Sequence, residues 1–341
     1  MQKLKRIRKD LKIHHQIHFG LSGYFTVELI EAATGRVKQR LQFKNLIVDA
    51  ALDALNNTTI NTFLAGFMAV GTGAVAPANA NVALGAEIAP SSSNRTNSNG
   101  GIAEVFGAGP ANAYWFRKLT FNFVETQGNG NLTEIGLFTA VSGGTLFCRQ
   151  LLKDGAGVPT VIVKTALDQL RVTYEIRFYS PTPDVTVNPL AISGTNYSIT
   201  TRAIHISDNR SWGHDGGAFS VFVGFKGDNA NSTIAWNAID TNTLAASSGA
   251  NPAAGSATVP TSVAKSVYAN GNFWLDYTII WDPGIANPVG GIGGVIMTAE
   301  LNGNTTGVTK CQFQMAFTPK LPKDNTKRLT LVLRLSWGRG P

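Results

Sequence analysis

Apolar and polar residues alternate along most of the chain. Phe25, Val27 and Leu29 share one face; the turn Ala33-Thr34-Gly35-Arg36 follows, and Val37, Leu41 and Phe43 resume the pattern. The same period of two recurs from Tyr114 to Phe123, from Val161 to Val163 and from Leu170 to Tyr179. Strand-period alternation broken by turn residues predicts an all-β sandwich or barrel. The exception is Asp49-Ala50-Ala51-Leu52-Asp53-Ala54-Leu55, read as one short helix near residues 49–56 that ends at Asn56-Asn57.

The two halves of the chain echo each other. Tyr114-Trp115-Phe116-Arg117-Lys118-Leu119-Thr120-Phe121 is answered by Phe273-Trp274-Leu275-Asp276-Tyr277-Thr278-Ile279-Ile280. Each run is followed by an Ile-Gly step (Ile135-Gly136 and Ile292-Gly293), then by a cysteine (Cys148 and Cys311). Each half closes on a long alternating strand, with Leu170, Val172, Tyr174, Ile176 and Phe178 on one face in the first. Leu329, Leu331, Leu333, Leu335 and Trp337 do the same in the second. A repeat of this kind predicts two tandem β-sandwich domains of related topology. They are placed at 20–180 and 190–341, behind a basic arm at 1–19 and joined by a proline-containing linker at 181–189. Proline at Ser180-Pro181-Thr182-Pro183 interrupts strand pairing and stiffens the joint.

Two long stretches of small residues, Ala74 to Gly101 and Thr241 to Lys265, fall at matching points of the halves. Loops of this length are functional or disordered. Poor in charge and aromatics, they read as surfaces shaped by a neighbouring chain or mobile in the isolated one.

Charge is concentrated at one end. Lys3, Lys5, Arg6, Arg8, Lys9 and Lys12 face Asp10 alone within the first twenty residues, a net +5; the remaining 321 residues carry +3. Leu4, Ile7 and Leu11 have helical spacing, whereas Leu11, Ile13 and Ile17 have strand spacing, so the arm favours no conformation of its own. A docking segment made of Lys3, Leu4, Lys5, Arg6, Ile7, Arg8, Lys9, Leu11 and Lys12 is the expectation, ordered against an acidic surface of a partner protein. The alternative is a solvated terminus. Direct nucleic-acid binding is disfavoured, because its basic residues are expected across a folded face with aromatics among them.

Charged residues make up 15% of the 341, against about 25% in a typical soluble chain. No run of 18 apolar residues predicts a membrane span, and no apolar stretch follows the basic start to make a secretory signal. Synthesis in a cytoplasm is expected. Two cysteines are too few for a disulfide framework.

Motifs for chemistry are weak. Val70-Gly71-Thr72-Gly73 is not followed by Lys-Ser/Thr or by a helical pattern, and reads as a strand-to-turn glycine pair. His14, His15 and His18 sit among cations that disfavour a divalent ion. Ser211, His214 and Asp215 are too close in sequence to assemble a triad and read as a turn. The acidic residues show no spacing that points to glycoside hydrolysis. No catalytic residue, metal ligand or cofactor is assigned, and the chain is expected not to be an enzyme.

A series of short motifs in fixed order carries a resemblance. Gly23-Tyr24-Phe25-Thr26-Val27-Glu28, Gly35-Arg36-Val37 and Phe43-Lys44-Asn45-Leu46-Ile47-Val48-Asp49 are followed by Met68-Ala69-Val70-Gly71-Thr72-Gly73. Then come Leu84-Gly85-Ala86-Glu87-Ile88, Leu132-Thr133-Glu134-Ile135-Gly136-Leu137-Phe138 and Thr165-Ala166-Leu167-Asp168-Gln169-Leu170. Residues of about 20–180 thereby resemble bacteriophage tail and appendage structural proteins: tail-fibre, collar or baseplate-associated β-domains. The second half departs from the pattern: Gly224-Phe225-Lys226-Gly227 stands in place of the glycine pair, and the Glu before Ile-Gly is lost.

The resemblance implies a virion structural protein, a homo-oligomeric ring or trimer in the tail, neck or fibre apparatus. The arm would join it to other virion proteins. A head-surface decoration or fibre protein is the alternative within that class. A module recognising a host surface glycan, with Trp212, Trp236, Trp274 and Trp281 as stacking platforms, is the alternative outside it.

Overall fold

In the computed structural model of the chain, the described residues are 9–55, 66–88, 94–97, 103–107, 114–179, 185–192, 194–203, 234–244, 257–299 and 310–341. They form one short helix and twenty strands. In chain order the first are β1 (Lys9–Glu31), β2 (Val37–Lys44), β3 (Leu46–Ile47), helix α1 (Asp49–Ala54), β4 (Phe67–Gly71), β5 (Thr96–Asn97) and β6 (Ala103–Gly107). Then come β7 (Tyr114–Phe123), β8 (Gly130–Leu132), β9 (Glu134–Phe138), β10 (Leu146–Leu151), β11 (Ile162–Lys164) and β12 (Asp168–Tyr179). The rest are β13 (Val185–Ile192), β14 (Thr195–Ala203), β15 (Ile234–Ile239), β16 (Ser262–Lys265), β17 (Trp274–Trp281), β18 (Ile292–Ala299), β19 (Lys310–Leu321) and β20 (Lys327–Arg339). The chain is all-β, as its alternation predicts.

The strands divide between two compact units. An amino-proximal unit holds residues 20–105, 115–178 and 338–341; a carboxy-proximal unit takes residues 179–337 together with the chain's beginning as far as Phe19 and a short stretch at 106–114. The sequence reading set the first nineteen residues apart as a docking arm, and for residues 9–19 the structure differs. They are the first half of β1, and Leu11, Ile13, Ile17 and Phe19 are buried. The strand spacing of Leu11, Ile13 and Ile17 prevails over the helical one because alternation buries every second residue against the chain's own core. The segment read as a linker also differs: from Val185 onward it is strand β13. Pro189 falls where the register with β14 shifts between Val187 and Leu190, at the edge of its sheet, where a missing N–H is tolerated. Residues 180–184 lie outside the described residues.

Strand order is the same in both units. In the amino-proximal unit β7 lies beside β12 and β12 beside β1, while a second sheet runs β3-β10-β9-β4-β5. In the carboxy-proximal unit β17 lies beside β20 and β20 beside β1, while its second sheet runs β13-β14-β19-β18-β15. Thus β17, β18, β19 and β20 repeat the places of β7, β9, β10 and β12. Aromatic rings bridge the two sheets of each unit. Phe147 meets Tyr174 edge-on at 6.3 Å, and Trp236 meets Tyr277 at 5.7 Å. Ring pairs of this kind supply large buried area with fixed geometry.

The cysteines do not obey the repeat. Cys148 faces Leu137, one residue past Gly136, whereas Cys311 faces Thr298, five residues past Gly293. Burial pushes the Cys148 thiol up to about 12, so it acts as a small core residue. A buried lysine obeys the repeat better. Lys164, six residues before Leu170, donates to Val124 O at 2.9 Å and Asn129 Oδ1 at 2.7 Å. Lys323, six residues before Leu329, donates to Asp282 O at 3.0 Å, Ile285 O at 2.6 Å and Asn287 Oδ1 at 2.9 Å. In each unit the ammonium closes the turn that leaves β7 or β17, and burial lowers the pKa of both.

Candidate functional site

Two places in the amino-proximal unit gather polar side chains: one is closed, the other open. The closed one is built on Glu134, at the start of β9 and without exposed surface. Its Oε1 accepts from the backbone N–H of Ala86 at 2.7 Å and of Gly73 at 3.1 Å; its Oε2 accepts from Gly85 N at 2.9 Å and Arg149 Nε at 2.7 Å. Arg149, from β10 and equally buried, also donates to Asn81 Oδ1 at 3.0 Å and Val75 O at 2.8 Å. Burial alone would raise the Glu134 pKa. The N–H groups of Ala86 and Gly85 and the Arg149 guanidinium more than offset it, and the carboxyl is held below its ordinary range. The glycines are required by close approach: a Cβ on Gly73 would strike the Glu134 carboxylate, and one on Gly71 would strike Ala86 O.

The loop from Ala74, read as shaped by a neighbouring chain or mobile in the isolated one, has fastenings within its own unit. Residues 74–88 are fastened by Glu134 and Arg149, charges that reach in from other strands. Farther along, Arg95 donates to both oxygens of Glu87 at 2.6 and 2.8 Å and to the carbonyls of Ala140 and Gly143. Its guanidinium lies 3.6 Å over the Phe138 ring. At the other end of the unit Asp168, fully buried, accepts from Lys38 Nζ at 2.7 Å and from Thr165 Oγ1 at 2.7 Å. Burial opposes its charge, yet the Lys38 and Thr165 hydrogen bonds bring its pKa down to about 2. These buried charges are saturated by internal donors and acceptors, so the cluster holds loops in place; it offers no open position to a reacting molecule.

The open place is the outer face of the sheet formed by β2, β1, β12 and β7. Even-numbered residues of β1 and odd-numbered residues of β12 point away from the core, and between them lies a groove of about 260 Å³. Tyr24, Thr26 and Glu28 form its floor with Thr173 and Glu175; Arg40, Gln42 and Lys118 form its sides. Glu28 pairs with Arg171 at 2.8 Å and Arg40 at 3.7 Å, and Glu175 with Arg177 at 2.6 Å and Lys118 at 3.0 Å. Four cations thus surround these two carboxylates. The Arg177 guanidinium covers the Tyr24 ring at 4.1 Å.

The residues singled out from sequence are scattered. Lys3, Leu4, Lys5, Arg6, Ile7 and Arg8 lie outside the described residues, as do Trp212, Ser211, His214 and Asp215. Lys9 opens β1, Leu11 is buried, and Lys12 is exposed on the opposite face. His15 is buried and shares a 2.6 Å hydrogen bond with Thr201 Oγ1. Trp236 and Trp281 are core residues, and Trp274 lies under the Arg334 guanidinium at 3.6 Å, so none of these three is an open stacking platform. The sequence does not display Glu134, Arg149 and Arg95 as a unit, although Glu134 stands inside a quoted motif. The groove residues are ordinary strand positions, and their meeting depends on the order β2-β1-β12-β7, which the sequence does not display.

Among the described residues no group of three or more His, Cys, Asp or Glu is placed to hold a metal ion, and no helix is long and apolar enough to cross a membrane. Comparison with protein-family models, curated proteins and solved structures finds no match to the chain.

Proposed function

We propose that the chain is a non-enzymatic structural subunit of a tailed bacteriophage particle, working as a homo-oligomer in the tail, neck or fibre apparatus. The observation that carries the reading is the convergence of the motifs behind the phage resemblance. Gly71 and Gly73 from the run Met68–Gly73, Gly85 and Ala86 from Leu84–Ile88, and Glu134 from Leu132–Phe138 meet around one buried carboxylate. These three motifs thus form one device that ties a long loop to a β-scaffold, a use of sequence suited to a building block.

The sheet edge supports self-association. Among the described residues strand β16 ends its sheet, and all four of its residues are exposed. Val263 on the strand is 45% exposed, and Val259 and Val267, before and after it in the chain, are 66% and 95% exposed. An edge strand with apolar side chains favours pairing with a further strand, and in a homo-oligomer that strand comes from a second copy.

An antibody raised against the chain and applied to particles of the phage that encodes it tests the proposal. Decoration of the tail, neck or fibres is expected. Absence of the chain from purified particles would overturn it.

A further inference from the structure

We infer that Lys164 with Asn129, and Lys323 with Asn287, form intramolecular amide cross-links, one in each unit. The inference stands on these two turns and is independent of the phage reading.

Each unit brings the same three groups together. Among the described residues Lys164 and Lys323 are the buried lysines, 2% and 3% exposed. Each donates to an asparagine Oδ1, Lys164 to Asn129 at 2.7 Å and Lys323 to Asn287 at 2.9 Å. In each turn one of the backbone oxygens that accept from the lysine belongs to an acidic residue: Glu125 O at 3.5 Å, Asp282 O at 3.0 Å. The asparagine follows that acid by four residues in one unit and by five in the other. Closing a turn needs a donor alone. A buried amine, a carboxamide and a carboxylate are the nucleophile, acyl donor and proton carrier that amide transfer requires.

Position and burial favour the step. The amide carbon Cγ lies one C=O bond, about 1.2 Å, behind Oδ1, so Nζ already stands beside the atom it attacks. Val124 O and Ile285 O hold the two nitrogens in place at 2.9 and 2.6 Å, and reactants held together react without the entropy cost of meeting. Burial favours the uncharged amine, the form that carries the lone pair. It prevails in both lysines over the nearby carboxylates, Asp168 and Glu125 for Lys164 and Asp324 and Asp282 for Lys323.

The step balances within the chain. The Nζ lone pair attacks Cγ; the Nζ–Cγ bond forms and the Cγ–Nδ2 bond breaks. A proton passes from Nζ to Nδ2, with the Glu125 or Asp282 carboxylate as its carrier, and Nδ2 leaves as ammonia. Nothing is oxidised or reduced, and no further reactant is consumed. The product ties the turn after β7 to the end of β11, and the turn after β17 to the segment before β20, by bonds that denaturant does not break.

Mass spectrometry of the full chain, purified in its folded state and then denatured, tests the cross-links. Each one lowers the mass by one ammonia, so a loss of two is expected. A tryptic digest should contain branched peptides joining Lys164 to Asn129 and Lys323 to Asn287. Ring closure of Asn129 onto the Gly130 nitrogen would also expel ammonia, but it yields no branched peptide, and Pro288 has no N–H for the same reaction at Asn287. Lys164→Arg and Lys323→Arg keep the charge and the donors. Each should restore the mass of one ammonia and abolish its own branched peptide alone. If an arginine variant does not fold, the branched peptides of the wild type decide. Absence of either peptide would overturn the inference for its unit, and absence of both, or an unchanged mass deficit in the arginine variants, would overturn it entirely.

Discussion

Lys164 and Lys323 perform the same task in the two units: each buries its ammonium under the turn that leaves the strand of the Trp-containing run, and each ends on an asparagine Oδ1, Asn129 or Asn287. A lysine is rarely buried unless its charge and hydrogen bonds are answered. Two of them, each six residues before the first leucine of the closing strand, are a mark of duplication that apolar alternation cannot provide.

Replacing either lysine by methionine keeps the stem but strands the turn's oxygen acceptors. Loss of about 2–3 kcal/mol is expected from acceptors left without donors in a buried site. Lys164→Met should lower the unfolding transition of the amino-proximal unit and Lys323→Met that of the carboxy-proximal unit. Urea denaturation followed by hydrogen exchange resolves which unit responds.

The Glu134–Arg149 pair gives a sharper loss. Arg149→Ala leaves a buried carboxylate with its charge uncompensated, at a cost of about 3–5 kcal/mol. The native pKa of Glu134 lies below its unfolded value, so its stabilisation is complete above the unfolded value. That stabilisation disappears as pH falls through the native one. Stability of the wild type should therefore fall on acidification, and Glu134→Gln should reduce that dependence. At the glycine beside it, Gly73→Ala should destabilise by about 1–3 kcal/mol through overpacking. Gly155→Ala, with open space around it, should stay within about 0.5 kcal/mol. Equal effects at the two glycines would refute the close approach.

His15 adds a second acid sensitivity, in the carboxy-proximal unit. Burial brings its pKa down to about 4, its Nε2 meets Thr201, and its Nδ1 has no hydrogen-bond partner among the described residues. The unfolded chain takes up this proton near its ordinary value of 6.5 and the folded chain only near 4. Stability therefore falls as pH drops through that window, by roughly 3 kcal/mol in all. His18, its pKa also lowered by burial, acts in the same direction. Urea midpoints between pH 7 and pH 4 should show the slope, and His15→Leu should flatten it.

Truncation separates the two parts of the amino-terminal segment. Removing residues 1–8 keeps β1 whole, and a folded protein is expected. Removing residues 1–18 deletes Leu11, Ile13 and Ile17, whose burial contributes about 1.5–3 kcal/mol each. The carboxy-proximal unit should then fail to fold, as seen by the loss of its protected amides. A fully folded Δ1–18 protein would contradict the place given to β1.

The strands were legible because their signal is local. Leu329, Leu331, Leu333, Leu335 and Trp337 alternate without interruption, and all five are buried. The helix at Asp49–Ala54 was legible for the same reason. What escaped depends on partners distant in sequence. Leu11 fits two periods, and only packing decides between them. Glu134 meets Gly73 and Arg149 from 61 and 15 residues away, so its motif shows a conspicuous residue without its purpose. Arg40 and Lys118 come within reach of one groove because β1 and β12 lie between their strands.

Self-association is the central claim, and the native mass of the purified full chain tests it most directly. The result expected is a closed species of three or more 36.2 kDa chains, dissociated by Val263→Pro on the edge strand β16. A mass of one chain at micromolar concentration, unchanged by that substitution, would contradict it.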